Sequence, residues 1–123
     1  MSNILLVEAD KLLGDITSEA LRRGGHQVYV AQSADQALQT LDDQSVDLII
    51  LDLQLPLHNG VEFLYDIRSY GDWQHKPVII HSAIDRELFV TSPALHDLGV
   101  VTYLQKPYTS LAEICRAVED LVH

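Results

Sequence analysis

Cysteine is almost missing: the 123 residues include only Cys115. No internal disulfide can form, and the surrounding CRAVED offers no second thiol for a structural zinc site. A small residue buried on a helix is the reading that suits such a thiol. Positive charge is scarce too. Eight Lys and Arg stand against 18 Asp and Glu, a formal net charge of −10 at pH 7, which repels a phosphate backbone by the same force that draws basic proteins to it. This chain alone is therefore not expected to bind nucleic acid, and any such activity would belong to a segment beyond His123. Long apolar runs are lacking as well. The longest, VDLIILDLQL, is broken by Asp47 and Asp52 and is too short to span a bilayer. The N-terminus lacks the basic, apolar, small-residue order of a secretory signal, so no membrane association and a soluble, cytoplasmic protein are expected. There is no repeat, low-complexity tract or linker, and residues 1–123 are expected to form one domain. The six histidines, His26, His58, His75, His81, His96 and His123, show no paired ligand spacing.

What the chain does have is 47% hydrophobic residues, enough for a single core at this length. Short β-rich runs recur at NILLV (3–7), QVYVA (27–31), VDLIIL (46–51), PVIIH (77–81) and VVTYL (100–104), with helical periodicity between them. Leu13, Ile16, Ala20 and Leu21 are spaced for one buried helical face. So are Ala34, Ala37, Leu38 and Leu41, and Leu111, Ile114, Cys115, Val118, Leu121 and Val122. Ser33 with Gln36, and Ser110 with Glu113, have the capping-box spacing, while Gly24-Gly25 and Gly99 stop the helices before the second and fifth strands. Five continuous apolar strands alternating with five helices predict an α/β fold, a doubly wound parallel sheet covered on both faces. Trp73, before the fourth strand, is expected to cover the bottom of that sheet.

In a sheet of this kind the ligand crevice lies at the carboxyl ends of the strands, where strand order reverses. The rule selects Glu8, Ala9 and Asp10, then Asp52 to Gln54, Ser82 with Ala83, and Lys106-Pro107. Asp52 ends an apolar strand, where a carboxylate is costly to desolvate unless it meets positive charge. Lys106 can supply one unit, and a hard divalent cation such as Mg2+ the rest. A carboxylate, a lysine, a hydroxyl and a magnesium site are the parts needed to hold a phosphoryl group. The plainer alternative is that Asp52 and Lys106 form a structural ion pair.

These residues bring a family into view: from first strand to last helix, the chain resembles a response-regulator receiver domain. ILLVEAD resembles the acidic first loop. LIILDLQLPLHNG resembles the phosphoacceptor segment, with Asp52 as acceptor, Pro56 four residues on and Gly60 eight on. VIIHSA supplies Ser82, and YLQKPY supplies the aromatic switch residue Tyr103 and Lys106. The resemblance implies a (βα)5 flavodoxin-like fold with strand order 2-1-3-4-5. It implies that Asp52 takes a phosphoryl group from a sensor histidine kinase, that Lys106 contacts the phosphoryl oxygens, and that Ser82 and Ala83 lie beside them. Tyr103 would then turn inward and change the face of the fourth helix, fifth strand and fifth helix, a two-state surface biased by a new dianion. Partners implied are the kinase, a downstream protein or fused output domain, and a second copy through that face. The bland reading of Tyr103 is a half-buried aromatic at a strand end. The resemblance also makes the Lys106-Pro107 bond a candidate cis peptide. A haloacid-dehalogenase-like phosphatase also forms an aspartyl phosphate, but it needs an Asp where Gln54 stands, and a phosphoacceptor rather than an enzyme is expected.

One departure stands out. Receivers usually offer two adjacent acids in the first loop, one holding metal-bound water and one ligating the metal directly. Glu8 matches the former, and Ala9 replaces the latter. The metal ligands implied are Asp52, Glu8 and the backbone carbonyl of Gln54, with Asp10 as a reserve unless it is the N-cap of the first helix. A unit charge at 4 Å is worth about 4 kcal/mol at an effective dielectric near 20. Losing it is expected to weaken Mg2+ binding roughly a hundredfold. Either phosphorylation survives with reduced magnesium dependence, or the domain is a pseudo-receiver that docks proteins without phosphorylation. The segment from Ser82 to Lys106 is also slightly longer than the family pattern and contains Pro93. Two readings stay open there: a late fourth helix capped by Ser92 after a loop from Asp85 to Thr91, exposing Leu88, Phe89 and Val90, or a normal helix kinked at Pro93 with those residues packed inside. His81, in an apolar strand, is expected to be a hydrogen-bonded core histidine.

Overall fold

The computed structural model describes residues 2–91 and 98–122. Five parallel strands form one sheet: β1 (Asn3–Val7), β2 (Gln27–Ala31), β3 (Leu48–Leu51), β4 (Val78–Ser82) and β5 (Val100–Gln105), in the order β2-β1-β3-β4-β5. Helices α1 (Lys11–Arg23), α2 (Ala34–Asp43), α3 (Gly60–Arg68), α4 (Arg86–Val90) and α5 (Leu111–Val122) connect and follow them. The doubly wound, flavodoxin-like order expected from the sequence is present. Successive strand residues point to opposite faces, and both faces are buried. Leu5, Val7, Ile49, Leu51, Val78 and Ile80 pack in a layer with residues of α2 and α3, whereas Ile4, Leu6, Leu48, Ile50 and Ile79 pack with Leu21 of α1 and Ile114 and Val118 of α5. That two-sided demand explains why β1, β3 and β4 read as unbroken apolar runs.

The caps follow the sequence. Gln36 N–H donates to Ser33 Oγ at 3.2 Å. Ser110 and Glu113 make the reciprocal box, with Glu113 N–H donating to Ser110 Oγ and Ser110 N–H to Glu113 Oε1. Gly25 (φ +94°) and Gly99 (φ +71°) take the left-handed conformation that side chains resist. Trp73 is buried below the sheet and leans on Tyr70, ring centroids 4.8 Å apart.

The buried face of α1 differs from the apolar stripe. Gly14, Thr17, Ser18 and Leu21 face inward, while Ile16 is 43% exposed. Small side chains let α1 lie close to the sheet: a Cβ on Gly14 would already sit 3.5 Å from Val30 and 3.7 Å from Glu8. Hydrophobicity misled because close approach was satisfied by size. A second correction concerns residues 85–91. Arg86–Val90 is helical, so the fourth helix does not begin late, and Leu88 is 70% exposed on it rather than packed inside. Ser92 and Pro93 lie outside the described residues.

Two irregularities aim the functional loops. Val78 pairs with Val100 but Ile79 with Thr102, so β5 carries one extra residue. With a side-chain period of two, this bulge turns Tyr103 to the α3 side beside Ile80. Beyond β3 the chain folds back on itself, and Gly60 N–H donates to Leu53 O at 2.8 Å. A Cβ on Gly60 would meet Leu53 Cα at 2.6 Å and Asp52 O at 2.7 Å, both backbone atoms that cannot yield cheaply. Gly60→Ala is therefore expected to lower the unfolding free energy by about 1–3 kcal/mol, the usual cost of overpacking, measured by urea denaturation; an unchanged midpoint would show that the loop yields.

Candidate active site

The chain leaves β1 towards β2 on one side and reaches β3 on the other, so the loops after β1 and β3 part and leave a crevice. Glu8 follows β1 and Asp52 follows β3; they are 3% and 5% exposed. Lys106, just past β5, reaches across the end of β4 on its long stem. Its Nζ donates to Asp52 Oδ2 and to Glu8 Oε1, each at 2.6 Å. Two strand spacings separate β5 from β3, about 10 Å, a gap that the four-methylene stem helps to close.

The remaining carboxylate oxygens are held by the main chain. Asp52 Oδ1 accepts from Gln54 N–H at 2.9 Å, and Glu8 Oε2 accepts from Asp10 N–H at 3.2 Å. Asp10 Oδ1 caps α1 through Leu13 N–H at 3.1 Å, the capping role open to it in the sequence. Burial pushes the Glu8 carboxyl above its ordinary range, opposed by its bonds to Lys106 and Asp10 N–H. Burial pulls the Lys106 ammonium down, but the hydrogen bonds to Asp52 and Glu8 outweigh it and hold the ammonium above its ordinary value.

On the far side of the crevice, Ser82 is fully buried at the end of β4, and its Oγ accepts from Ile84 N–H at 3.3 Å. Lys106 N–H donates to Ser82 O at 2.8 Å, which ties the ends of β4 and β5 together. Ala83 is exposed beside them. Tyr103 is half-buried, and its hydroxyl donates to Ile84 O. The backbone of Ile84 thus meets Ser82 through its N–H and Tyr103 through its C=O. The Lys106-Pro107 bond is cis. His81 is buried; desolvation and then the Lys106 charge pull its pKa down. Among the described residues nothing hydrogen-bonds its ring, contrary to expectation.

Whether these residues suit a divalent cation turns on the donors. Two carboxylates and a carbonyl are a usual magnesium set, but here all four carboxylate oxygens already accept bonds from the chain, and Ala9 adds none. Among the described residues no three His, Cys, Asp or Glu side chains gather as a metal site. The donor set suits the ion, but Lys106 and two backbone N–H groups already compete for its carboxylate oxygens.

Comparison with known proteins agrees with the geometry. The model of the response regulator receiver domain matches residues 4–119. The chain belongs to this family. The receiver is 37% identical over 120 residues to the transcriptional regulatory protein CpxR of Klebsiella pneumoniae, covering 94% of this chain and 47% of that protein. It is 36% identical over 108 residues to the KDP operon regulator KdpE of Escherichia coli, covering 88% and 46%. It thus spans about half the length of these relatives. Among solved structures, the receiver domain of a Francisella response regulator superposes with TM-score 0.85 at 26% identity, covering 98% of this chain and 96% of that one. The receiver domain of a sensor histidine kinase from Pseudomonas aeruginosa, solved with magnesium in its active-site cleft, gives 0.83 at 26% identity, covering 97% and 95%.

Of the residues selected from the receiver's sequence, Glu8, Asp52 and Lys106 touch, Gln54 contributes its N–H to Asp52, and Ser82 meets the chain of Lys106. The Glu8–Lys106 contact and the role of Gly14 behind Glu8 were not foreseen; a glycine inside a helical stripe was the available signal for the latter. The raised ammonium gives a pH dependence. A basic group held above its ordinary 10.5 stabilises the fold fully below that value, and the contribution is lost as pH rises through the folded value. Tyr103, raised by burial and then by the charges of Asp52 and Asp85, acts in the same direction. Urea midpoints taken between about pH 8 and 12 should fall more steeply in the wild type than in Lys106→Met; equal slopes would contradict the bridge.

Proposed function

We propose that residues 1–123 form one phosphoacceptor domain, in which Asp52 receives a phosphoryl group from the phosphohistidine of a sensor kinase. The observation that carries this reading is the pair of 2.6 Å contacts from Lys106, which put a cation on a buried carboxylate at the mouth of the crevice. An oxygen of Asp52 attacks phosphorus. The bond from phosphorus to the histidine nitrogen breaks, that nitrogen keeps the electron pair, and a bond from Asp52 to phosphorus forms. Lys106 turns from the carboxylate to the new phosphoryl oxygens, and Gln54 N–H steadies the acyl end of the new anhydride.

The dianion also draws the Ser82 hydroxyl, whose O–H donates to it while Oγ accepts from Ile84 N–H, so the Ile84 loop is pulled along. Because Ile84 O holds the Tyr103 hydroxyl, the loop shift frees the ring to turn inward. The readout is the face of α4, β5 and α5, where Leu88 and Val101 are exposed. A downstream protein, a fused output domain or a second copy of the chain would bind there. The relatives are transcriptional regulators about twice as long, which favours a fused output domain. The domain accepts one phosphoryl group rather than turning over substrate, and it works in the cytoplasm; none of the described helices is long and apolar enough to cross a membrane.

Magnesium is held in the cleft of the Pseudomonas receiver. In this chain Asp52, Glu8 and the Gln54 carbonyl would hold it, more weakly because Ala9 supplies no carboxylate and Asp10 caps α1. Incubation with acetyl phosphate and Mg2+ should add one phosphoryl group by mass, absent in Asp52→Asn; no gain at any Mg2+ concentration would favour phosphorylation-independent docking. Ala9→Asp should raise Mg2+ affinity tenfold or more by calorimetry, and unchanged affinity would mean that position 9 does not face the site.

A further inference from the structure

His26 has no part in the crevice, yet its side chain is only 3% exposed and joins three elements at the amino edge of the sheet. It stands just before β2, as Ser2 stands just before β1. Ser2 N–H donates to His26 Nδ1 at 3.2 Å, and Gln27 N–H donates to Ser2 O at 2.9 Å. The other ring nitrogen, Nε2, lies 2.7 Å from Glu119 Oε1 near the end of α5. The ring rests on the turn after α1, where a Cβ added to Gly24 would meet its Cδ2 at 3.5 Å.

These contacts fix where the protons are. A ring nitrogen that accepts an N–H carries no proton, so the one proton of a neutral imidazole sits on Nε2 and is donated to Glu119. Both nitrogens are satisfied in that form. A second proton would set Nδ1–H against Ser2 N–H, two donors facing each other in a buried seat, while Nε2–H would keep Glu119 and gain its charge. The neighbouring charged groups have other roles. On the last turn of α1, Arg22 bonds Ser18 Oγ and Val28 O, and Arg23 bonds Glu19. Asp47, before β3, accepts from Asn3 N–H. On α5, Arg116 and Asp120 are exposed, and burial and then the Glu119 charge push the Cys115 thiol up, which keeps it neutral.

We propose that His26 is a proton-dependent clasp: the neutral ring ties the head of β1 to α5, and the charged ring releases Ser2 while gripping Glu119 more firmly. Acidification thereby changes how α5 is anchored, and α5 borders the face on which Leu88 and Val101 are exposed. The clasp stands apart from the phosphoacceptor reading, since it shares no residue with the crevice.

The test uses nitrogen-15 NMR of the full 123-residue chain, between about pH 8 and 5, the interval in which histidine side chains change charge. At the upper end the His26 ring should show a proton on Nε2 and none on Nδ1. On acidification the Nδ1 signal and the Ser2 amide should move with one midpoint, while the Nε2 proton persists. Corrected for the intrinsic effect of pH, Ser2 amide exchange should quicken about tenfold or more as the local contact opens. In Glu119→Gln the shared midpoint should fall by about half a pH unit, the scale of a partly exposed ion pair. His26→Asn, which keeps an acceptor near the Nδ1 position and does not titrate, should hold the Ser2 amide throughout. A proton on Nδ1 at the upper end, a Ser2 amide that does not follow the ring, or an unchanged pH response in His26→Asn would overturn the proposal. If His26→Asn fails to fold, the wild-type ring and Ser2 signals decide alone.

Discussion

Two carboxylates share one ammonium at the rim of a parallel sheet, and much of the local architecture serves that contact. Glu8 and Asp52 are both nearly sealed from water. Left alone, the two charges would repel each other across the crevice; with Lys106 at 2.6 Å from both, they can be buried together. Removing one partner of such a group typically costs about 3–5 kcal/mol, because the other charge is stranded. The bridge is therefore held in place by the cost of breaking it, and it joins loops from β1, β3 and β5 that are distant in sequence.

The fold supplies reach and direction for that contact. Reversal of strand order opens the space between the loops after β1 and β3. Gly60 lets α3 press the loop after β3 against its own strand end, and Gly14 lets α1 close over Glu8. The bulge in β5 orients Tyr103 onto the same side as Ile80, where its hydroxyl meets Ile84. Ser82 touches the same residue through its N–H. Charge at the rim and the position of an aromatic ring are in this way linked by a few hydrogen bonds.

Much of this was legible in the residues. The alternation of short apolar runs with helical stripes encodes a two-sided parallel sheet, and polar residues just past the runs at 8, 52, 82 and 106 mark its ligand edge. Capping boxes at Ser33 and Ser110 and the cap at Asp10 were readable because they depend on neighbours in sequence. Contacts that depend on size and reach were hidden. The inward face of α1 is made of Gly14, Thr17 and Ser18, which apolar periodicity cannot find. The Glu8–Lys106 bond joins residues 98 apart, and it depends on a long stem arriving where Ala9 offers no competing carboxylate.

A double-mutant cycle on Glu8 and Lys106, read by urea unfolding of Glu8→Gln, Lys106→Met and the double variant at neutral pH, addresses the bridge without metal or phosphodonor. Residues in one buried network couple by about 0.5–3 kcal/mol, and this contact should lie in the upper half of that range. Additive effects, with a coupling indistinguishable from zero, would mean that Lys106 is not held by Glu8 and that the pocket is organised in some other way.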